Sequence, residues 1–321
     1  MKKNLILLAA MIALCLLGCT PAEIPEQTTV PPTTVPETTA APTTEPTEPP
    51  TGWLELNGQR YYRYPDGTHP TGWFEDEGNI YYIAPNGFMH TGWLELEGKT
   101  HYFKEDGTMA VGEVEIDGVK HHFTADGAKI LLVNPWNTVP EGYAPELVEI
   151  PHGLATHGIQ VAADCYDALI AMLEACNDQQ PRAVVVSGYR THEYQEKLYK
   201  NKVSRVQAEG YSYEEALVEA AKVVAIPGTS EHQLGLAVDI VDSRSYSLTD
   251  YQATLPAQKW LMEHCWEYGF ILRYPVGSTE ITGIVYEPWH YRYVGREVAA
   301  EIQSKGLCLE EYLQSLTSGV G

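Results

Sequence analysis

Two short stretches in the C-terminal half carry side chains of the kinds that hold a metal. Ser230-Glu231-His232-Gln233-Leu234-Gly235-Leu236-Ala237-Val238-Asp239 supplies an imidazole and a carboxylate. Glu287-Pro288-Trp289-His290 supplies a second imidazole, with another carboxylate three residues before it. His232, Asp239 and His290 make a ligand set suited to zinc. Three protein ligands leave a fourth tetrahedral position for water, the arrangement of a catalytic rather than a structural site. Glu287, outside that set, is then a candidate general base toward the water. Gly235 and Ala237 are small where backbone and ion must approach closely, and Pro288 shapes the turn carrying Glu287. The expected chemistry is zinc-assisted hydrolysis. His152, His157, His192 and His264 lack a carboxylate partner at ligand spacing, and Asp242 reads as a turn cap.

The elements that must position these residues are short and mixed. Apolar spacing from Gly158 to Asn177 predicts a helix burying Val161, Cys165, Leu169, Met172, Leu173 and Cys176 on one face. Arg182-Ala183-Val184-Val185-Val186 reads as a buried strand ending at Ser187-Gly188-Tyr189-Arg190. Helices are expected around 193–208 and 213–224, a strand over Leu236–Val241, and a helix over Pro256–Tyr268 opened by its proline. Phe270–Tyr274 and Trp289–Val294 read as strands, with a last helix starting near Arg296. Without regular βαβ alternation, the fold class is α+β.

Residues 145–310 resemble the LAS group of zinc peptidases, and within it the VanY-type D-alanyl-D-alanine carboxypeptidases that trim peptidoglycan stem peptides. The resemblance rests on Ser187-Gly188-Tyr189-Arg190 with Gln195, Pro227-Gly228-Thr229-Ser230-Glu231-His232, Tyr268-Gly269-Phe270 with Arg273-Tyr274, and Glu287-Pro288-Trp289-His290 with Arg292-Tyr293-Val294-Gly295. It implies a LAS/hedgehog-like α+β zinc peptidase domain over 131–321, with His232, Asp239 and His290 binding zinc and Glu287 as base. It further implies that Arg190 contacts substrate and its developing charge, and that Ser230 and Gln195 belong to the substrate pocket. L,D-carboxypeptidases of tetrapeptide stems share every one of these motifs and form the main alternative. A catalytically silent wall-binding relative would be expected to have lost part of the set.

Upstream, residues 51–130 repeat every 20 residues. Thr51-Gly52-Trp53, Thr71-Gly72-Trp73 and Thr91-Gly92-Trp93 open three copies, and Val111-Gly112-Glu113 opens a degenerate fourth. Each copy then shows Gly58, Gly78, Gly98 or Gly118, followed by Tyr61-Tyr62, Tyr81-Tyr82, His101-Tyr102 or His121-His122. A turn dipeptide, Asp66-Gly67, Asn86-Gly87, Asp106-Gly107 or Asp126-Gly127, closes each copy. Alternating strands around such dipeptides predict β-hairpins, and the fixed period predicts a solenoid. The copies resemble the choline-binding and glucan-binding repeats of Gram-positive surface proteins, in which aromatic side chains cage a quaternary ammonium. That resemblance points to Trp53, Tyr62, Trp73, Tyr82 and Trp93 as contacts to a wall polymer or teichoic acid. Where the family often has Trp before the Tyr pair, this chain has Arg60, Ile80 and Thr100, which leaves choline itself open.

Met1-Lys2-Lys3, the apolar run Leu5–Leu17 and Gly18-Cys19 read as a signal peptide (1–18) ending in a lipobox-like Leu16-Leu17-Gly18-Cys19. Cys19 is the expected lipidation site, placing the chain outside the cytoplasm and anchored to the outer membrane face. Residues 19–50 are almost wholly Pro, Thr, Glu and Ala, a composition that cannot bury an apolar face. In polyproline II such a tether would reach on the order of 90 Å. The chain of 321 residues carries 21 Lys+Arg against 43 Asp+Glu. With no basic stripe to neutralise phosphates, nucleic acid is not an expected partner. Cys165 and Cys176 lie roughly 16 Å apart along one predicted helix and cannot bridge; buried free thiols are expected.

Overall fold

A computed structural model describes residues 49–179 and 182–318. The predicted signal peptide, Cys15, Cys19 and the Pro/Thr-rich tether through residue 48 lie outside the described residues. Residues Pro50–Gly321 form one compact unit.

Four β-hairpins open it: β1 Gly52–Leu56 with β2 Gln59–Arg63, β3 Gly72–Asp76 with β4 Asn79–Ile83, β5 Gly92–Leu96 with β6 Lys99–Phe103, and β7 Gly112–Ile116 with β8 Val119–Phe123. Register sets Trp53 opposite Tyr62, Trp73 opposite Tyr82 and Trp93 opposite Tyr102. The hairpin turns are not the dipeptides expected from the sequence. They are Asn57-Gly58, Glu77-Gly78, Glu97-Gly98 and Asp117-Gly118, whose first residues take φ of 53°, 49°, 51° and 52° and whose glycines are also positive. Two successive positive φ values are what a two-residue turn matched to strand twist requires. Asp66-Gly67, Asn86-Gly87, Asp106-Gly107 and Asp126-Gly127 instead turn the chain between hairpins. At Asp66 and Asp106 the carboxylate accepts a bond from the backbone N–H of Thr68 or Thr108 at 2.9 Å, a local bond that favours a turn over a strand. Hairpins stack through rings, with Trp53–Tyr81, Trp73–His101 and Trp93–His121 centroids 4.8, 5.1 and 5.0 Å apart. Met89 and Met109 also donate backbone bonds to the Arg60 and Ile80 carbonyls of the hairpins behind them.

After the short strand β9 (Lys129–Ile130), which pairs with β8, the chain enters its mixed α and β portion. β10 (Leu147–Glu149) pairs with β11 (Gln160–Ala162), followed by α1 (Ala163–Asp178), β12 (Ala183–Ser187), α2 (His192–Ala208) and α3 (Tyr213–Ala221). Then come β13 (Ala237–Asp242), α4 (Pro256–His264), β14 (Phe270–Leu272), α5 (Thr279–Thr282), β15 (His290–Tyr293), α6 (Arg296–Lys305) and α7 (Leu309–Ser318). The central sheet is antiparallel in the order β12-β13-β15-β14. Leu169, Met172 and Leu173 of α1 and Leu261 of α4 bury against Val185, Val238, Ile240 and Tyr291 of this sheet, forming the core that holds the site rigid. The helix expected from Gly158 begins only at Ala163, and Val161 is buried from a strand, because Gln160–Ala162 pairs with β10 before the helical turn starts. Helix Pro256–Tyr268 tightens into a 3-10 turn at Cys265–Tyr268 and ends on Gly269 at φ 82°. Cys165, Cys176, Cys265 and Cys308 are buried free thiols. Burial pushes each of them up to about 12.

The fourth hairpin docks on α7. The Glu113 backbone N–H donates to Thr317 Oγ1 at 2.8 Å, and a Cβ on Gly112 would stand 2.6 Å from the Thr317 backbone nitrogen. The degenerate copy thus packs against α7, while Lys99 of the third copy reaches Glu297 of α6 at 3.7 Å.

Candidate metal centre

β13 and β15 are neighbours, and their register sets Asp239 directly opposite His290. Cross-strand pairing therefore brings together two ligands that lie far apart in the chain. His232 arrives from a 3-10 turn, Glu231–Leu234, which ends on Gly235 at φ 74°. A Cβ there would stand 2.9 Å from the Ala162 backbone nitrogen, so the turn closes against β11 only with glycine. His232 Nδ1 lies 2.8 Å from the Gly188 carbonyl. Bonding there as the N–H tautomer fixes the ring and leaves Nε2 as the ligand atom, 3.3 Å from Asp239 Oδ2. His290 turns Nδ1 inward, 3.2 Å from Asp239 Oδ1 and 3.6 Å from Glu287 Oε2.

The three buried ligands offer atoms that all lie within 4.8 Å of one another. Asp239 Oδ1 is buried with no hydrogen-bond partner, a cost that a cation in the cluster would remove. Two imidazole nitrogens and a carboxylate are ordinary zinc donors, so the residues present fit the ion.

The electrostatics separate the roles. Burial would raise the Asp239 carboxyl, but His232 and Arg190 overturn that and hold it well below the usual range. Burial pushes His232 down to about 4, with Arg190 acting in the same direction. His290 goes the other way. Burial would lower it, yet the facing carboxylates of Asp239 and Glu231 carry it up to about 9. Glu287 is pushed up to about 8 by burial, with Asp239 adding to the rise. Carboxylates with opposed shifts a few ångströms apart are the pattern from which acid/base roles are assigned: Asp239 is held anionic, and Glu287 is raised toward neutrality.

Arg190 donates from Nη2 to Asp239 Oδ2 at 2.6 Å and from Nε to Ser187 Oγ at 3.0 Å. It lines a cleft of about 290 Å³ together with Ser230, the three ligands and Glu287. Gln195 does not line it. Its side chain is fully buried and holds Arg190 Nη1 at 3.4 Å while donating to the Ala225 carbonyl, because α2 turns that face inward; it supports Arg190 from behind. Asp242 stays off the metal, binding Arg244 and capping α4 through the Ala257 N–H.

A buried ionic cluster behind the ligands escaped the sequence reading. Glu231 accepts from Arg273 Nε and Arg292 Nη1, each at 2.8 Å, and Glu310 of α7 takes both outer nitrogens of Arg273. The signal available was weak: Arg273 directly follows the apolar strand Phe270–Leu272, Arg292 lies within a buried strand, and Glu231 falls within an otherwise buried run.

A fold and site of this kind define a zinc peptidase. The family model described as "D-alanyl-D-alanine carboxypeptidase" matches residues 158–296, and "Putative cell wall binding repeat" matches 51–68, 71–89 and 91–109. A D-alanyl-D-alanine carboxypeptidase of Enterococcus faecalis is 43% identical over 186 residues, 58% of this chain and 66% of that protein; the chain thus spans about two thirds of that relative. Among solved structures, a mutant of vancomycin resistance D,D-pentapeptidase VanY from the VanB-type cassette, in complex with Zn(II), is 42% identical with a TM-score of 0.51, covering 57% of this chain and 97% of that one. The LdcB LD-carboxypeptidase is 33% identical with a TM-score of 0.52, covering 64% and 94%. The chain belongs to the VanY family of D-alanyl-D-alanine carboxypeptidases, and its cofactor is zinc.

Proposed function

We propose that the protein removes the C-terminal D-alanine from peptidoglycan stem peptides at the outer cell surface, held to the wall by its repeats and to the membrane through a lipid on Cys19. The observation that carries the catalytic reading is the grouping of His232, Asp239 and His290 within 4.8 Å, with Glu287 3.6 Å from a ligand nitrogen. Bound zinc supplies Lewis acidity toward the scissile carbonyl and lowers the pKa of water. Glu287 takes the water proton on its carboxylate and hands it to the departing amine of D-alanine. Its upward shift suits both halves of that transfer. Arg190, fixed by Ser187, Gln195 and Asp239, presents a planar guanidinium to the substrate carboxylate or to the oxyanion that forms. Lys202 and Arg205 also line the cleft, giving a chain of net charge −22 a locally positive surface for an anionic peptide end.

Pentapeptide and tetrapeptide stems, incubated with the zinc-loaded enzyme and followed by mass spectrometry, test this. Loss of one alanine from the pentapeptide is expected. Consumption of the tetrapeptide alone would make the enzyme an L,D-carboxypeptidase, the activity named for the LdcB neighbour.

On the repeats, two of the three tryptophans are already faced by cations of the chain itself. Arg60 lies 4.7 Å over Trp53 and Lys129 5.0 Å over Trp93. Trp73, 49% exposed, packs edge-on to Tyr82 and His101 beside Met109. Wall-polymer binding is assigned chiefly to this gap.

A further inference from the structure

The geometry points to Glu231 as a positioning residue for zinc: it accepts the outer N–H of His290 and so fixes that ring as an Nδ1 ligand. The inference rests on the zinc assignment above and goes beyond it to what orients the ligand. Three observations carry it.

First, the two atoms concerned are each other's natural partner. His290 Nε2 and Glu231 Oε2 are both buried without a hydrogen-bond partner and face each other at 3.8 Å. With Nδ1 turned toward Asp239, the proton of a metal-binding His290 must sit on Nε2, where that carboxylate oxygen awaits it. A slight closure makes a charge-assisted bond. Second, Glu231 cannot swing away. Its other oxygen receives both Arg273 and Arg292 at 2.8 Å, and its side chain is fully buried. Arg273 is in turn clamped by both oxygens of Glu310, and Arg292 donates to the Leu131 carbonyl at 2.8 Å. Third, the two ligand histidines are held differently. His232 is set by a backbone carbonyl, whereas His290 Nε2 faces this carboxylate. A carboxylate behind a metal-bound imidazole fixes its tautomer and raises its basicity.

One buried carboxylate among two arginines could equally be a packing device, and the test separates the two roles. Zinc affinity of the full chain is measured by chelator competition for wild type, Glu231→Gln and Glu310→Gln. Glu310→Gln loosens the same Arg273 without facing His290. We expect Glu231→Gln to weaken zinc binding by roughly ten- to a hundredfold, the range for loss of such a partner, and Glu310→Gln to weaken it far less at comparable loss of Tm. Equal losses of zinc affinity in both variants, or none in Glu231→Gln, overturn the inference. Absence of zinc from the wild type would instead overturn the metal assignment itself. If Glu231→Gln does not fold, 15N-histidine NMR of the zinc-loaded wild type decides. One ligand ring must read as Nδ1-bound with an exchange-protected Nε2 proton, the other as Nε2-bound. Two Nε2-bound rings, or rapid exchange of that proton, refute the assignment.

Discussion

Glu287 and His290 sit three residues apart, yet the site asks opposite things of them. One must bind metal and the other must stay off it. Glu287→Gln keeps the shape of the cleft and leaves the three ligands untouched. It should therefore retain stoichiometric zinc while turnover falls by about 10²–10⁴-fold, the usual contribution of a general base; loss of metal in this variant would reassign Glu287 as a ligand. The same residues predict a pH dependence of metal uptake. His290, raised to about 9, carries a proton at neutral pH in the metal-free protein, and zinc must displace it. His232, lowered to about 4, is already neutral. Apparent zinc affinity should thus climb with pH by at least about tenfold per unit between roughly pH 6 and 8, because a ligand proton is released on binding. Calorimetry in buffers of differing ionisation enthalpy reads that proton directly, and an affinity flat with pH would show His290 neutral before the metal arrives.

At the scale of elements, ligation depends on a strand register and a glycine turn. Gly235→Ala forces a side chain into φ 74°, a strain of about 1–3 kcal/mol, and drives its Cβ against Ala162. Since the turn also carries His232, both Tm and zinc affinity should fall. Gly58→Ala, at φ 79° but with open space around it, should cost strain alone and leave zinc binding unchanged; matching effects would mean His232 is held by something other than its turn. In the repeats, Trp73→Ala should weaken retention on purified walls more than Trp93→Ala, whose ring already faces Lys129. That His232, Asp239, His290, Glu287 and Arg190 would gather in one cleft was legible because each belongs to a compact motif whose residue types have few other uses. The pairing of Asp239 with His290 was not, since register depends on contacts between strands distant in sequence. The hairpin turns were misplaced for a related reason. Asp-Gly carries the stronger turn signal, while Glu77 and Glu97 give no local hint that they will adopt positive φ. Glu231 lay hidden because a carboxylate beside a ligand looks the same in sequence whether it faces solvent or two buried arginines.

The whole molecule joins its two halves more closely than the repeat pattern suggests. From the sequence, residues 51–130 form a separable module, and their removal would spare the peptidase. The contacts divide that module. All four hairpins stack in series, and the fourth alone also packs on α7, through Gly112 and Glu113. α7 supplies Glu310 to Arg273, and Asn134, just beyond the last repeat, donates to that same carboxylate at 3.0 Å. Leu131 receives Arg292, so the chain leaving the solenoid reaches the groups that surround Glu231. Two truncations should therefore behave differently. Removing 51–110 should leave hydrolysis of soluble stems near wild type while wall retention drops, because the excised hairpins carry Trp53, Trp73 and Trp93 and touch the peptidase through the exposed Lys99–Glu297 pair at 3.7 Å, a contact of little energetic weight. Removing 51–130 strips the cover from α7 and the strand that leads into Leu131, and should lower Tm and zinc affinity together. Thermal denaturation and chelator competition on both truncations check this. Equal stability and equal zinc affinity in the two proteins would show that the fourth hairpin is a repeat like the others and that the catalytic domain is complete without it.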